Sequence, residues 1–137
     1  MTESAFPLDV IARLNAAMNR RDLKGFVACF DPAYISDQPA HPDRHFRGVE
    51  QVERNWSMMF GSLPDFHADI LSQTEEGSVA WVEWQWSGTR ADKSKLNARG
   101  VCLFGVDNGL IKWGRLYMED VSVGDGVEAA VDSLAKG

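Results

Sequence analysis

No run of apolar residues in this chain approaches the roughly 20 needed to cross a bilayer. The opening decapeptide MTESAFPLDV lacks the basic stretch and apolar run of a secretory leader. Both absences lead to the expectation of a cytoplasmic protein with no membrane partner. Lysine and arginine number 14 against 20 acidic residues and form no block, for a formal charge of −6. A nucleic-acid or anionic-membrane surface has no electrostatic footprint in such a chain. Cysteine is scarce: Cys29 and Cys102 stand outside any CxxC pair, in apolar surroundings. They read as small buried hydrophobes in a reducing compartment. A Gly-rich phosphate loop, a GxSxG elbow and a cysteine–histidine arrangement are all missing, so the reading includes no nucleotide cofactor and no covalent serine chemistry.

What is present is enough to fold. Aliphatic and aromatic residues make up 45% of the 137 residues, with five tryptophans, which argues against disorder. The length suits one domain over 1–137, with its core at about 8–121 and a tail over 122–137. Val10, Ile11, Leu14, Ala17 and Met18 recur at helical spacing after Pro7, which predicts a first helix over 8–20. Asp22 is a natural N-cap for a second helix with the stripe Leu23, Phe26, Val27 and Phe30, stopped at Asp31-Pro32. The run AYIS is a brief strand. After Gly48 the stripe Val49, Val52, Trp56, Met59 and Phe60 marks a third helix, closed by GSLPDF.

From Phe66 the period changes from helical to two. FHADILSQT and SVAWVEWQWSG read as strands around an EEG turn; ARGVCLFGV and LIKWGRLYMEDV read as strands around the DNG turn at 107–109. TRADKSKLN is a charged loop between the two hairpins. The connections are too short for crossovers, so the sheet is expected to be antiparallel. In the tail, Val127, Val131 and Leu134 keep helical spacing near glycines, as in a short or frayed helix. Three helices followed by a curved antiparallel sheet make an α+β class, with the sheet wrapped around the helices and a hollow inside.

That order of elements, together with LNAAMNRRDLKGFVACFDP near the start, a polar break before the third helix and DNGLIKWGRLYMED at the end, resembles the nuclear transport factor 2-like superfamily, in particular its SnoaL-like branch. The resemblance spans roughly residues 8–121. It implies a cone-shaped α+β barrel, often dimeric through the outer face of its sheet. Such proteins include ketosteroid isomerases, polyketide cyclases, dehydratases, an epoxide hydrolase and members that only bind. A fold shared so widely predicts a pocket better than a reaction.

Alternation along SVAWVEWQWSG puts Ala80, Val82, Trp84 and Trp86 on an apolar face that should line the cone. By the strand register of the superfamily, the resemblance implies that Gly100, Cys102, Phe104, Gly114, Leu116, Met118 and Asp120 also face inward. With Trp56 and Met59 of the third helix, the expected ligand-binding wall is Val82, Trp84, Trp86, Cys102, Leu116 and Met118. Such a wall suits a small, flat, apolar ligand. Trp81, Glu83, Trp113, Arg115, Tyr117 and Glu119 would share the outer face. That face is too aromatic to stand in water, so a homodimer contact or the C-terminal tail should cover it. A single bulge would exchange the faces and bring Arg115, Tyr117 and Glu119 into the pocket.

The catalytic candidates are four. Asp37, in YISDQP, matches the segment in which ketosteroid isomerases place a general-base aspartate, and a carboxylate at an apolar mouth could move a proton. It could equally cap amides of its own turn. Asp120 falls where SnoaL-like cyclases carry a catalytic aspartate, or it is a solvated strand end. His41 and His45 are spaced i, i+4, but Pro39 and Pro42 oppose a helix there, so a proton shuttle at the rim suits them better than metal binding. The isomerase likeness ends at Leu14 and Cys102, which stand where that family carries its tyrosine and its protonated aspartate; neither is a strong oxyanion donor. The expected function is cofactor-independent acid/base proton transfer on an apolar carbonyl, epoxide or polyketide-like substrate. The alternatives are a non-catalytic ligand-binding protein and a protein-docking adaptor.

Overall fold

The computed structural model describes residues 6–137. Helix α1 (Pro7–Arg20) starts with proline in its first turn and Asp9 near its positive end. It stops where Arg21 turns left-handed (φ 52°) and its N–H meets the carbonyls of Ala17 and Met18. Val10, Ile11, Leu14, Ala17 and Met18 form its buried face, as their spacing predicts. In α2 (Leu23–Val27) the Asp22 carboxylate accepts from the Gly25 N–H at 3.0 Å, a side-chain cap. This helix is shorter than its stripe suggested. Phe30 already belongs to strand β1 (Phe30–Asp37), which runs through Asp31-Pro32 and is twice the length of AYIS.

A three-residue 3-10 turn (Pro42–Arg44) and the short β2 (Phe46–Arg47) lead into α3 (Val49–Ser62). Four long strands follow: β3 (His67–Glu76), β4 (Val79–Thr89), β5 (Lys95–Asp107) and β6 (Leu110–Asp120). Strand β5 begins three residues before ARGVCLFGV, so the charged loop is a tighter turn over 90–94. The tail holds a ten-residue helix, α4 (Val127–Lys136), rather than a frayed end.

The six strands form one curved, unclosed sheet in the order β2-β1-β6-β5-β4-β3. One pairing corrects the antiparallel expectation: β1 runs parallel to β6, with Ile35 beside Trp113 and Asp37 beside Arg115. The chain between these two strands includes α3 and four strands, ample for a crossover. All other pairs are antiparallel.

Three cross-strand rows set what the concave face presents. Val82, Cys102 and Leu116 form the first, Trp84, Gly100 and Met118 the second, and Trp86, Ala98 and Asp120 the third. A register shift does occur on β5–β6, between Gly105 and Val106. It lies at the turn end of the hairpin, before these rows, and their parity is the expected one. Arg115 and Tyr117 accordingly stay on the outer face, where Arg115 lies over the Trp113 ring at 5.2 Å.

Gly100 is required by packing. A Cβ there would collide with the backbone carbonyl of Tyr117 on the paired strand, which cannot rotate aside. Gly100→Ala is expected to cost about 2–3 kcal/mol, by analogy with overpacked cores, and urea unfolding measures it.

Candidate ligand site

The concave face and the helices enclose a cavity of about 190 Å³. Leu14 and Met18 reach it from α1, Phe26 from α2, and Val52, Trp56 and Met59 from α3. The sheet contributes Tyr34, Trp84, Trp86, Cys102, Phe104 and Leu116. Its wall is an aromatic cage: Phe26 and Trp56 lie 4.6 Å apart between centroids, and Trp56 meets Trp86 edge-on at 5.4 Å and 82°. A cavity of roughly 150 Å³ accommodates a benzene ring, so this one accommodates a substituted ring.

The polar atoms on this wall are neutral. The buried Tyr34 hydroxyl shares a hydrogen bond with Ser36, and desolvation pushes its pKa above the usual value for a phenol. Burial likewise pushes the Cys102 thiol up to about 12, so it is no thiolate at neutral pH. Gln38 and Asn55 add amides near the opening. The Trp86 indole Nε1 is buried with no hydrogen-bond partner. Among the described residues no carboxylate and no imidazole lines the cavity.

Charge begins one step outward. An antechamber of about 250 Å³ shares Gln38, Met59, Trp86 and Leu116 with the cavity and adds Arg44, Met118, Glu119 and Asp120. Arg44 donates to Gln38 Oε1 at 3.0 Å. His41 Nε2 and Glu119 Oε1 are 2.6 Å apart, which ties the proline-rich rim to the end of β6.

The anticipated residues are therefore divided. Trp56, Met59, Trp84, Trp86, Cys102 and Leu116 do line the cavity. Met118 and Asp120 line only the antechamber, and Val82 is fully buried beneath the wall, in the core. Asp37 does not point inward as expected. Tyr34 and Ser36 take the inner positions on β1, and Gln38 just past its end also lines the cavity, so alternation turns Asp37 to the other face, where its Oδ1 lies 2.6 Å from His45 Nδ1. Asp37 and Asp120 thus do not share a cavity. His41 and His45 flank the 3-10 turn, each holding a different carboxylate. Glu119 reaches the antechamber edge from the strand end, whereas Arg115 and Tyr117 are not among its lining residues. Among the described residues no group of three or more His, Cys, Asp or Glu could hold a metal ion.

Tyr34, Ser36, Gln38, Arg44 and Asn55 were not foreseen. Parity offered a signal for three of them: in YISDQ, Tyr34 is the large apolar residue, and the positions two and four further on share its face. Arg44 follows an irregular turn and carries no such pattern.

Beyond the antechamber an open groove of about 970 Å³ runs between the end of α3 and the β4–β5 turn; it shares Met59 and Leu96 with the antechamber. Asp65 anchors one side, accepting from the Thr89 N–H and hydroxyl, both at 2.7 Å. Those hydrogen bonds, the hydroxyl's first, hold its pKa below the usual carboxylate value. A depressed folded-state pKa stabilises the fold above the ordinary value of about 4, and the benefit is lost as pH falls through the lowered value. Asp65→Asn is expected to unfold at lower urea than the parent near pH 7, and the gap should close in acid. Equal midpoints at neutral pH would count against the anchor.

A family model described as a SnoaL-like domain matches residues 11–113. No curated protein sequence matches the chain. Among solved structures, wild-type IdmH from Streptomyces antibioticus, a candidate polyketide cyclase, is 19% identical over 82% of this chain and 91% of that chain, with a TM-score of 0.71. A LEH-like epoxide hydrolase from M. tuberculosis is 16% identical over 80% of each chain, with a TM-score of 0.69. An NTF2-like protein of unknown function from Cytophaga hutchinsonii is 14% identical over 87% of this chain and 95% of that chain, with a TM-score of 0.66. At these identities the likeness is one of fold.

Proposed function

Since this chain belongs to the SnoaL-like domain family, we propose that it is a small-molecule pocket protein whose cavity takes a flat, uncharged, largely apolar ring with a hydrogen-bonding oxygen. The observation that carries this reading is the cavity wall: aromatic rings and methionines, with only neutral polar atoms. A charged ligand would lose its hydration there and gain no opposite charge. A ligand of about ten non-hydrogen atoms should bind with a Kd between roughly 10 μM and 1 mM. Because Trp56, Trp84 and Trp86 line the cavity, binding of naphthol should quench tryptophan fluorescence saturably. Unsaturable quenching, with no heat in calorimetry, would refute the reading.

A second reading, proton transfer on the bound ligand, is favoured by the carboxylate of Asp120 and the guanidinium of Arg44 lining one antechamber. An enolisable carbon held at the neck would have a base and a cation on its exposed side. The cyclase and hydrolase among the proteins of like fold support an oxygen-bearing skeleton as substrate. If the ligand that co-purifies with the chain is converted, Asp120→Asn should slow turnover about 100-fold or more while leaving binding intact. Unchanged turnover would remove Asp120 from the chemistry.

We further propose that the outer face of the sheet contacts a second copy. Trp81 and Tyr117 are 45% and 42% exposed, and Val127, Val131 and Leu134 of α4 are themselves exposed, so the tail does not cover these rings. Glu83, Arg99 and Arg115 supply both signs of charge on one patch, as a self-complementary contact requires. Sedimentation should find a dimer that Trp81→Glu dissociates.

A further inference from the structure

The cavity, the antechamber and the groove beside α3 adjoin one another, and Met59 is on the wall of all three. From Asn55, at the cavity, to Ser62, in the groove, α3 advances about 10 Å. The charges along the groove are unequal in availability. Asp65 is engaged by Thr89, and Arg90 donates to the Lys95 carbonyl at 2.8 Å and the Ser94 hydroxyl at 3.4 Å. Lys93, which also lines the groove, is exposed, and its ammonium has no partner among the described residues.

The backbone at Lys93 is the second observation. Among the described residues three non-glycine positions adopt positive φ: Arg21, Lys93 and Asn108. Arg21 caps α1 and donates to the Phe66 carbonyl at 3.1 Å; Asn108 sits in the DNG turn, where asparagine tolerates this conformation. Lys93 (φ 74°) occupies a position that glycine or asparagine would fill with less strain. The turn is held firmly around it: the Lys93 N–H meets the Arg90 carbonyl, and the Arg90 N–H the Ser94 carbonyl, both at 2.9 Å. Asp92 caps Ser94 within the same turn. Among the described residues no side chain or backbone group pairs with the lysine ammonium, and a strained position whose side chain the fold leaves unused is a candidate for binding.

We infer that the ligand is longer than the cavity: an apolar ring inside, a chain leading out past Met59, and an anionic end in the groove, received by Lys93. The inference rests on the ring-binding reading above and adds the tail and its charge. The ligand class is thus a ring-bearing acid, with the carboxylate or an equivalent anion several carbons from the ring. The Arg44 guanidinium, at the antechamber, adds positive potential along the way, against Glu119, held by His41, and Asp120.

Calorimetry with naphthol, naphthylhexanoic acid and the methyl ester of that acid tests it. In low salt the acid should bind about fivefold more tightly than its ester, a preference that added salt erodes. Lys93→Glu should abolish or reverse the preference and leave naphthol unaffected. Lys93→Gly should also abolish it while raising Tm by roughly 4 °C, since glycine relieves the backbone. A residue serving only the turn could not lose affinity and gain stability together. Naphthol binding with acid and ester indistinguishable, or a preference that survives Lys93→Glu, overturns the tail site alone. Failure of all three compounds to bind overturns the ring-binding reading as well.

Discussion

Replacing Trp84 by alanine should remove about 3–5 kcal/mol of stability, a large share of the roughly 5–15 kcal/mol that holds a domain together. Trp84 is 1% exposed, packs edge-on to Phe104 at 6.0 Å and lies 5.8 Å from Trp86. Its Nε1 donates to Asn15 Oδ1 at 2.9 Å, a bond between β4 and α1. The substitution creates a void on the cavity wall and strands a polar atom, two costs that add. Trp84→Phe keeps much of the packing but still orphans Asn15, so about 1–3 kcal/mol should go. Urea unfolding of both variants separates the contributions. An alanine variant within about 1 kcal/mol of the parent would mean that the helix and sheet are not joined here as described.

The second large effect concerns binding. Leu116 lines both the cavity and the antechamber, so its side chain borders the neck between them. Leu116→Trp should plug that neck and weaken naphthol binding about 100-fold or more. The fold should lose no more than about 1–3 kcal/mol, because the added ring enters open space instead of a packed core. Calorimetry is the suitable readout, as the new indole would confuse fluorescence. A variant that folds and binds within about threefold of the parent would place the ligand elsewhere.

How far the residues foretold all this differs by kind of feature. Local periodicity carried the helices and the four long strands, and alternation along SVAWVEWQWSG placed Trp84 and Trp86 correctly. The β1–β6 parallel pair was not legible, because partners some eighty positions apart leave no local trace in either strand. Asp37 shows a different failure. Matching its neighbourhood to a catalytic segment set aside the alternation that Tyr34, Ser36 and Gln38 obey, and the pleat decides which side chains enter the hollow. Val82 had the right parity and the wrong depth: it belongs to the same inward row as Cys102 and Leu116, yet it is fully buried in the core. Burial along a row depends on what lies above it, which strand patterning does not encode. The junction of cavity, antechamber and groove at Met59 is likewise a product of tertiary packing.

A neutral, aromatic cavity sized for a ring is the central feature of the site. The most direct measurement is calorimetric titration of the wild-type protein with phenol, naphthol and a four-ring sterol alcohol, each at several temperatures. Saturable one-to-one binding of the one-ring or two-ring compound is predicted, with a negative heat-capacity change and the four-ring compound excluded from the 190 Å³ cavity. Saturable binding by none of the three, or binding of the four-ring compound alone, would contradict it.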